Sequence, residues 1–145
     1  MDEFLTPLIQ AFSDYRQNIE KCQRKLRPTD GLLGFGHGLK DDACHERFDE
    51  RIQQAVGELS ASSLTPAQAE SVLRTLLLRD DVETWPLAAQ WMLVAVQRHA
   101  LPLIPLLNQE QAAGLAVSYE KRWPRHTRLP AQRDILKALK KARQG

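Results

Sequence analysis

Apolar residues at alternating spacings of three and four along the first 26 residues constrain the fold most strongly. They are Leu5, Leu8, Phe12, Tyr15, Ile19, Cys22 and Leu26. This spacing brings side chains onto one side of an α-helix, so it predicts an amphipathic helix of about 24 residues. Sustained alternation of apolar and polar residues between turns, which is the pattern of a strand, is almost absent from the chain.

Five further segments have the same helical periodicity. They begin near Asp42, Pro66, Thr84, Asn108 and Pro130. Thr65 with Gln68, and Asn108 with Gln111, have the three-residue spacing of a capping box at a helix start. The connections are mostly short, so the sequence predicts an all-α fold. We expect a single-domain bundle of about six helices over residues 1–145, or a stack of helical hairpins.

The fourth predicted helix, about residues 84–98, differs from the others because it has almost no polar face. Its apolar residues include Trp85, Leu87 and Trp91. A helix that is apolar on nearly every side is typically central and buried. The pattern therefore predicts that this helix forms the core and that Trp91 lies inside it.

The composition is that of a globular protein with a core of useful size. The chain has 145 residues, of which 43% are apolar and 26% are charged. Two cysteines make no disulfide framework, which favours a reducing compartment. The first ten residues lack the basic region of a signal peptide, and the longest apolar stretch is far short of the roughly 20 residues of a membrane span. We therefore expect a cytoplasmic, bacterial-type protein with no membrane partner.

Charge is distributed unevenly along the chain. Residues 121–145 carry nine Lys or Arg and one acid, a net charge of +8, whereas residues 1–120 have a net charge of −6. A basic C-terminal helix, predicted at about residues 130–143, has an apolar face and is expected to pack on the acidic body. The alternative is a nucleic-acid-associated protein that uses the basic C-terminal segment 121–143, in which basic side chains bind phosphates and a tryptophan stacks on a base. Its candidate residues are Lys121, Arg122, Trp123, Arg125, Arg128 and Arg133.

A glycine-rich segment precedes the second predicted helix and is predicted as a loop from about residue 27 to residue 41. It lacks the glycine spacing of a dinucleotide fingerprint and the Gly-Lys-Ser/Thr of a phosphate loop. Glycine lets a connection adopt positive φ angles, and Asp41 or Asp42 is expected to cap the helix that follows. We interpret the segment as a packed surface loop that binds no cofactor.

A metal- or thiol-dependent enzyme centred on His37, Cys44 and His45 is a further alternative. Cys44 would lie in the first turn of its helix, where the dipole favours a thiolate. However, Cys44 precedes Phe48 by four residues on the same apolar face, which indicates a core residue. The adjacent Cys44 and His45 point in different directions on a helix, which argues against a zinc site. We therefore expect neither a metal nor a catalytic residue.

A cluster of acids on the loop and the second helix suggests a surface for a cationic partner. Asp42, Glu46 and Asp49 are spaced by four and three, so they are expected to point outward together. The leading hypothesis is a non-enzymatic protein-binding protein, most concretely an immunity protein that covers a basic cleft of a toxin. A homodimer is a further option that the sequence leaves open. The predicted contact residues are Phe35, His37, Asp41, Asp42, Glu46, Asp49 and Glu50.

Overall fold

The protein is an assembly of α-helices with no strand in the part of the chain that the structure describes. The structure is a computed structural model, and the residues described are 3–24, 35–125 and 128–144, without the side chains of 22–24, 35–42 and 88. The α-helices are α1 (Thr6–Arg24), α2 (Phe35–Ala61), α3 (Pro66–Leu77), α4 (Leu87–Ala95), α5 (Gln109–Arg122) and α6 (Pro130–Gln144). The predicted all-α fold of about six helices is confirmed.

The consecutive helices α1 and α2 pack closely against each other. The predicted apolar seam is buried from Leu5, just before α1, to Ile19. Its last two members, Cys22 and Leu26, lie outside the described side chains. Phe48 of α2 meets this seam twice: its ring stacks on Tyr15 with centroids 4.1 Å apart and meets the edge of Phe12 at 5.3 Å. Offset and edge-on ring contacts of this kind add to the stability given by burial alone.

A long 3-10 helix, Val96–Leu106, crosses the middle of the assembly. It follows α4 directly and contacts α2, α3, α4 and α6. Gln97, Ala100 and Leu103 are buried at intervals of three residues, the period of a 3-10 helix. Pro102 and Pro105 lie within it, and each lacks the N–H that an α-helix would require. The chain therefore continues as 3-10 helix, where the sequence predicted that the fourth helix ends near residue 98.

Capping boxes begin α3 and α5, as predicted. Thr65 Oγ1 accepts from the backbone N–H of Gln68 at 3.1 Å, and Gln68 Oε1 accepts from the backbone N–H of Thr65 at 3.0 Å. Asn108 and Gln111 form the same reciprocal pair at 2.8 and 3.0 Å. Both pairs satisfy backbone donors that have no partner within the helix.

Arg79 joins the connection between α3 and α4 to α1. Its guanidinium donates two hydrogen bonds to the Asp81 carboxylate, at 3.0 and 2.8 Å. Its planar group lies 4.4 Å from the ring centroid of Phe12 and 5.7 Å from that of Trp85. The indole N–H of Trp85 donates to the same carboxylate at 3.2 Å. The connection is thus held by a bidentate ion pair placed between two aromatic rings.

The prediction that the fourth helix is the central, fully buried one is wrong. Leu87 is 83% exposed and Trp91 is 59% exposed, while Ala89 and Leu93 are buried. α4 lies at the outside of the assembly and buries one face only. Trp85, which precedes the helix, is instead the buried tryptophan of this region at 4% exposure. Apolar content alone could not distinguish a central helix from a peripheral helix that has an exposed apolar face.

Part of the segment predicted as a loop is helical, because α2 begins at Phe35. Residues 35–41, which were assigned to the loop, are helical, and residues 25–34 lie outside the described part of the chain. Asp41 and Asp42 follow the helix start by six and seven residues, so neither caps it. A glycine lowers the stability of a helix by only about 1 kcal/mol relative to alanine, and every residue added to an existing helix contributes a backbone hydrogen bond. The glycines of this segment are therefore compatible with a helix.

The helices that the structure describes include none that is both long enough and apolar enough to cross a membrane. This agrees with the expectation drawn from the apolar stretches of the sequence. The longest of them, α2, has 27 residues, but charged residues recur throughout it.

Trp85 and Trp91 make a matched pair for testing the arrangement of α4. Trp85→Ala should lower the free energy of unfolding by about 3–5 kcal/mol, since it removes a buried ring and opens a cavity. Trp91→Ala should change it by no more than about 1 kcal/mol, because the side chain is largely exposed. Chemical denaturation of both variants measures the difference, and equal losses would contradict the described position of α4.

Asp81 should give the fold a dependence on acid. The hydrogen bonds from Arg79 hold the pKa of the Asp81 carboxyl below its ordinary value of 3.8, with help from the Trp85 indole. A carboxyl with a lowered pKa in the folded state contributes stability that is complete well above its unfolded pKa. That contribution is lost as the pH falls through the folded pKa.

Asp81→Asn should therefore be less stable than the parent protein at pH 7, and the difference should shrink as the pH falls below about 4. Thermal melts at a series of pH values between neutral and strongly acidic conditions measure this. Glu110→Gln, at an exposed carboxylate, is the matched control. A stability difference for Asp81→Asn that does not change with pH would contradict the ion pair.

Candidate functional site

The exposed face of α6 carries a row of basic side chains. The apolar residues Ile135, Leu136 and Leu139 are buried, and the helix packs on α5 and on the central 3-10 helix. The expectation that the C-terminal helix lies back on the body is therefore met. Packing of this face turns the basic side chains of the helix outward.

A shallow groove of about 480 Å³ runs along this exposed face. We call it the basic groove and define it by the residues that line it: Arg128, Arg133, Leu136, Lys137, Lys140, Lys141 and Gln144. Five of these seven side chains are cationic, and none is a carboxylate. Four of the cations come from one helix, at positions separated by four, three and one residues, which places them on neighbouring parts of one surface.

The cations of the basic groove are only partly compensated within the protein. Lys140 Nζ lies 3.8 Å from the carboxylate of Glu120, and both side chains are well exposed. Arg128 donates from Nε to the backbone oxygen of Trp123 at 2.9 Å. For Arg133, Lys137 and Lys141, no ion pair is seen among the described residues. An exposed pair such as Lys140–Glu120 contributes little stability, so the groove retains a strong positive potential.

Two residues of the predicted polyanion site are used instead to hold the fold together. Trp123 is 7% exposed, and its indole N–H donates to the backbone oxygen of Leu77 at 2.7 Å. The Arg122 guanidinium covers the Trp123 ring at 4.0 Å and donates to the backbone oxygen of Arg79 at 2.6 Å. Arg122 also pairs with Glu83 at 3.2 Å. The ring is therefore closed to a nucleic-acid base, contrary to the predicted role of Trp123.

The remaining residues of that predicted site divide into two groups. Lys121 and Arg125 are exposed but do not line the groove, while Arg128 and Arg133 do. Lys137, Lys140 and Lys141 supply most of the charge of the groove. They lie within the predicted basic segment 121–143 but were not among its predicted contact residues. Their spacing from Arg133 is the signal that could have identified them, because it places all four away from Ile135 and Leu139 on the helix.

The predicted acidic face is smaller than expected. The Asp49 carboxylate lies 2.8 Å from Arg98 Nη2 and 2.9 Å from His99 Nε2, so it links α2 to the 3-10 helix and does not point outward with its neighbours. Glu46 and Glu50 are exposed. The side chains of the other four predicted contact residues are outside the description. These are Phe35, His37, Asp41 and Asp42.

The candidate thiol and metal residues lie beside the core of the α1–α2 pair. Cys44 is half-buried and packs against the apolar core, which agrees with its predicted structural role. Nδ1 of His45 shares a hydrogen bond with the Tyr15 hydroxyl. The described residues contain no group of three or more potential metal ligands, and the side chain of His37 is not among them. His45 thus has a packing partner in Tyr15.

Comparisons with known proteins do not extend this description. No family model, no curated protein and no solved structure matches the chain.

Asp49 offers a direct test of the reduced acidic face. Asp49→Asn should lower the free energy of unfolding by about 1–3 kcal/mol, because a partly buried, charge-assisted pair of hydrogen bonds is weakened. Glu50→Gln, at the exposed neighbouring acid, should change it by less than about 0.5 kcal/mol. Urea denaturation of both variants measures the difference. If Asp49→Asn leaves the free energy of unfolding unchanged, the Asp49 carboxylate is not needed for the fold and remains available to a partner.

Proposed function

We propose that the protein is a non-enzymatic binding protein that holds nucleic-acid phosphates in the basic groove. The observation that carries the proposal is the row of cations on α6, of which Arg133, Lys137 and Lys141 have no ion pair among the described residues. Neutralising such a row with phosphates releases the counterions condensed on the nucleic acid, and this release drives association. The proposal develops the alternative drawn from the basic C-terminal segment, with a different set of contact residues.

The rigidity of the helix supports a role in binding. α6 is fixed along its buried side by Ile135 and Leu139, both of which are 0% exposed. The cations therefore project from a backbone that does not have to be ordered when a partner binds. Only their side chains lose freedom on association, which lowers the entropic cost.

A membrane surface is a poorer partner for the same helix. Amphipathic helices that bind bilayers insert their apolar face among the lipid chains. The apolar face of α6 is already buried against the protein, so only charge would be available to lipid. A partner that presents charge without a hydrophobic layer suits this surface better.

The lining of the groove favours binding over catalysis. General acid–base and nucleophilic chemistry uses carboxylates, histidines, thiols or hydroxyls within hydrogen-bond reach of one another. The groove is lined by Lys and Arg with one leucine and one glutamine. Cations of this kind hold phosphate and do not by themselves supply a proton acceptor near neutral pH.

Binding of another protein is a second proposal and has its own support. Leu87 and Trp91 are large, apolar, exposed and four residues apart on α4, and exposed tryptophan is typical of the energetic centres of interfaces. The more specific version is an immunity protein that covers a basic toxin cleft. Of the predicted acidic contact residues whose side chains are described, Glu46 and Glu50 are the ones that support it. We therefore rank it below phosphate binding.

Charge reversal in the groove tests the leading proposal. Lys137→Glu with Lys141→Glu should weaken binding to a fluorescein-labelled, mixed-sequence DNA by at least about tenfold at moderate salt, since two phosphate contacts are lost. Fluorescence anisotropy gives the affinity, and thermal melting checks the fold.

The control variant changes the net charge by the same amount elsewhere. Lys21→Glu with Arg47→Glu reverses two exposed cations on α1 and α2, away from the groove. It should leave most of the affinity in place. Equal losses for the two double variants would mean that overall charge matters and the groove does not, and absence of any binding by the parent protein would exclude the proposal.

A further inference from the structure

Tyr119 and Trp123, the described aromatic residues that precede the basic groove in the chain, present no ring to a bound nucleic acid. Tyr119 is 0% exposed, and its hydroxyl donates to Gln97 at 2.6 Å. Trp123 is 7% exposed, and the Arg122 guanidinium lies over its ring at 4.0 Å. The lining of the groove itself contains no aromatic side chain. Among the described residues at the groove, therefore, no aromatic ring is available for a base to stack on.

Proteins that bind single strands rely on such surfaces. They combine a positive groove with aromatic rings on which successive bases stack, and the stacking tolerates any sequence. The basic groove has the charge without the rings. In a double helix the bases are already stacked on each other. A protein surface that offers only cations can therefore bind a duplex without having to replace any stacking energy.

The arrangement of charge also favours a double helix. Arg133 and Lys141 mark the ends of a row of four cations that spans nine residues, a distance of roughly 12 Å along the helix axis. A duplex carries one phosphate charge per about 1.7 Å of its axis, whereas a single strand carries about half that density. A fixed row of cations therefore meets more phosphates, and displaces more counterions, on a duplex.

Sequence reading by the groove has little basis. Specific recognition uses side chains that reach base edges with paired donors and acceptors. Besides its cations, the lining has a single amide, Gln144 at the end of α6. Lys and Arg also contact phosphate, and phosphate contacts position a protein on nucleic acid without reading its sequence. Paired donors of Arg128 or Arg133 could read guanine, and the comparison of two duplexes of unrelated sequence tests this.

We propose that the basic groove binds double-helical nucleic acid through its phosphates, in preference to single strands and without regard to sequence. This inference rests on the proposed function and names the form of nucleic acid that the groove takes. It depends on the described residues Arg128, Arg133, Lys137, Lys140 and Lys141.

The test compares defined ligands by fluorescence anisotropy with the full chain. The ligands are two fluorescein-labelled 20-base-pair DNA duplexes of unrelated sequence, one single strand of each, and labelled polyglutamate. We expect each duplex to bind at least about tenfold more tightly than its strand, and the two duplexes to agree within about twofold. The logarithm of the duplex affinity should fall against the logarithm of salt concentration with a slope of about −4 to −5, if all five cations contact phosphate.

Two variants sharpen the result. Lys137→Gln should make the salt slope shallower by about one for both duplexes alike, as loss of one phosphate contact does. Trp91→Ala should leave the affinity for every ligand unchanged, because its exposed ring lies outside the groove lining. A loss of single-strand binding in Trp91→Ala would reveal a stacking surface on α4 and overturn the inference.

The possible failures separate the two proposals. A single strand bound as tightly as the duplex, or a tenfold difference between the two duplexes, would overturn the inference and leave phosphate binding by the groove intact. Binding of polyglutamate with no binding of DNA would point to an acidic protein and overturn both. Absence of binding to every ligand would also overturn both.

Discussion

Arg79, through its ion pair with Asp81 and its backbone oxygen, joins α1, the connection after α3 and the end of α5. The guanidinium is held between the rings of Phe12 and Trp85, so one side chain ties the connection after α3 to α1. The backbone oxygen of the same residue accepts from Arg122 at the end of α5. Because α6 packs on α5, the contacts of Arg79 help to set where the cations of α6 stand relative to the rest of the fold.

The parts of the fold that could be predicted are those specified by local pattern. The apolar residues of α1 and of α6 are buried as their spacing indicates, and both predicted capping boxes form. These features follow from three- and four-residue spacing, which is a property of the helix itself. The exposure of Trp91 and the burial of Trp85 depend on which face of α4 meets other helices. Likewise, α2 begins at Phe35 and continues through a glycine-containing segment, although glycine disfavours helix.

The positive charge of the candidate site could be predicted from the sequence, but the identity of its contact residues could not. The excess of bases after residue 120 can be counted in the sequence, whereas the members of the groove depend on which side of α6 is buried. Trp123 is unavailable because a backbone oxygen 46 residues away accepts from its indole. Asp49 is withdrawn from the surface by Arg98 and His99, which lie 49 and 50 residues further along the chain. Pairings at such distances leave no periodic signal.

The central 3-10 helix has a consequence for the dimensions of the fold. A 3-10 helix rises about 2.0 Å per residue, against about 1.5 Å for an α-helix. The 11 residues of Val96–Leu106 therefore extend over roughly 22 Å, the same length as the 15 residues of α6 that pack beside them. An α-helix of the same 11 residues would be shorter by about 5 Å. Pro102 and Pro105 exclude the α-helical hydrogen bonds. The 11 residues of the 3-10 helix thus reach about the same length as the 15 residues of α6.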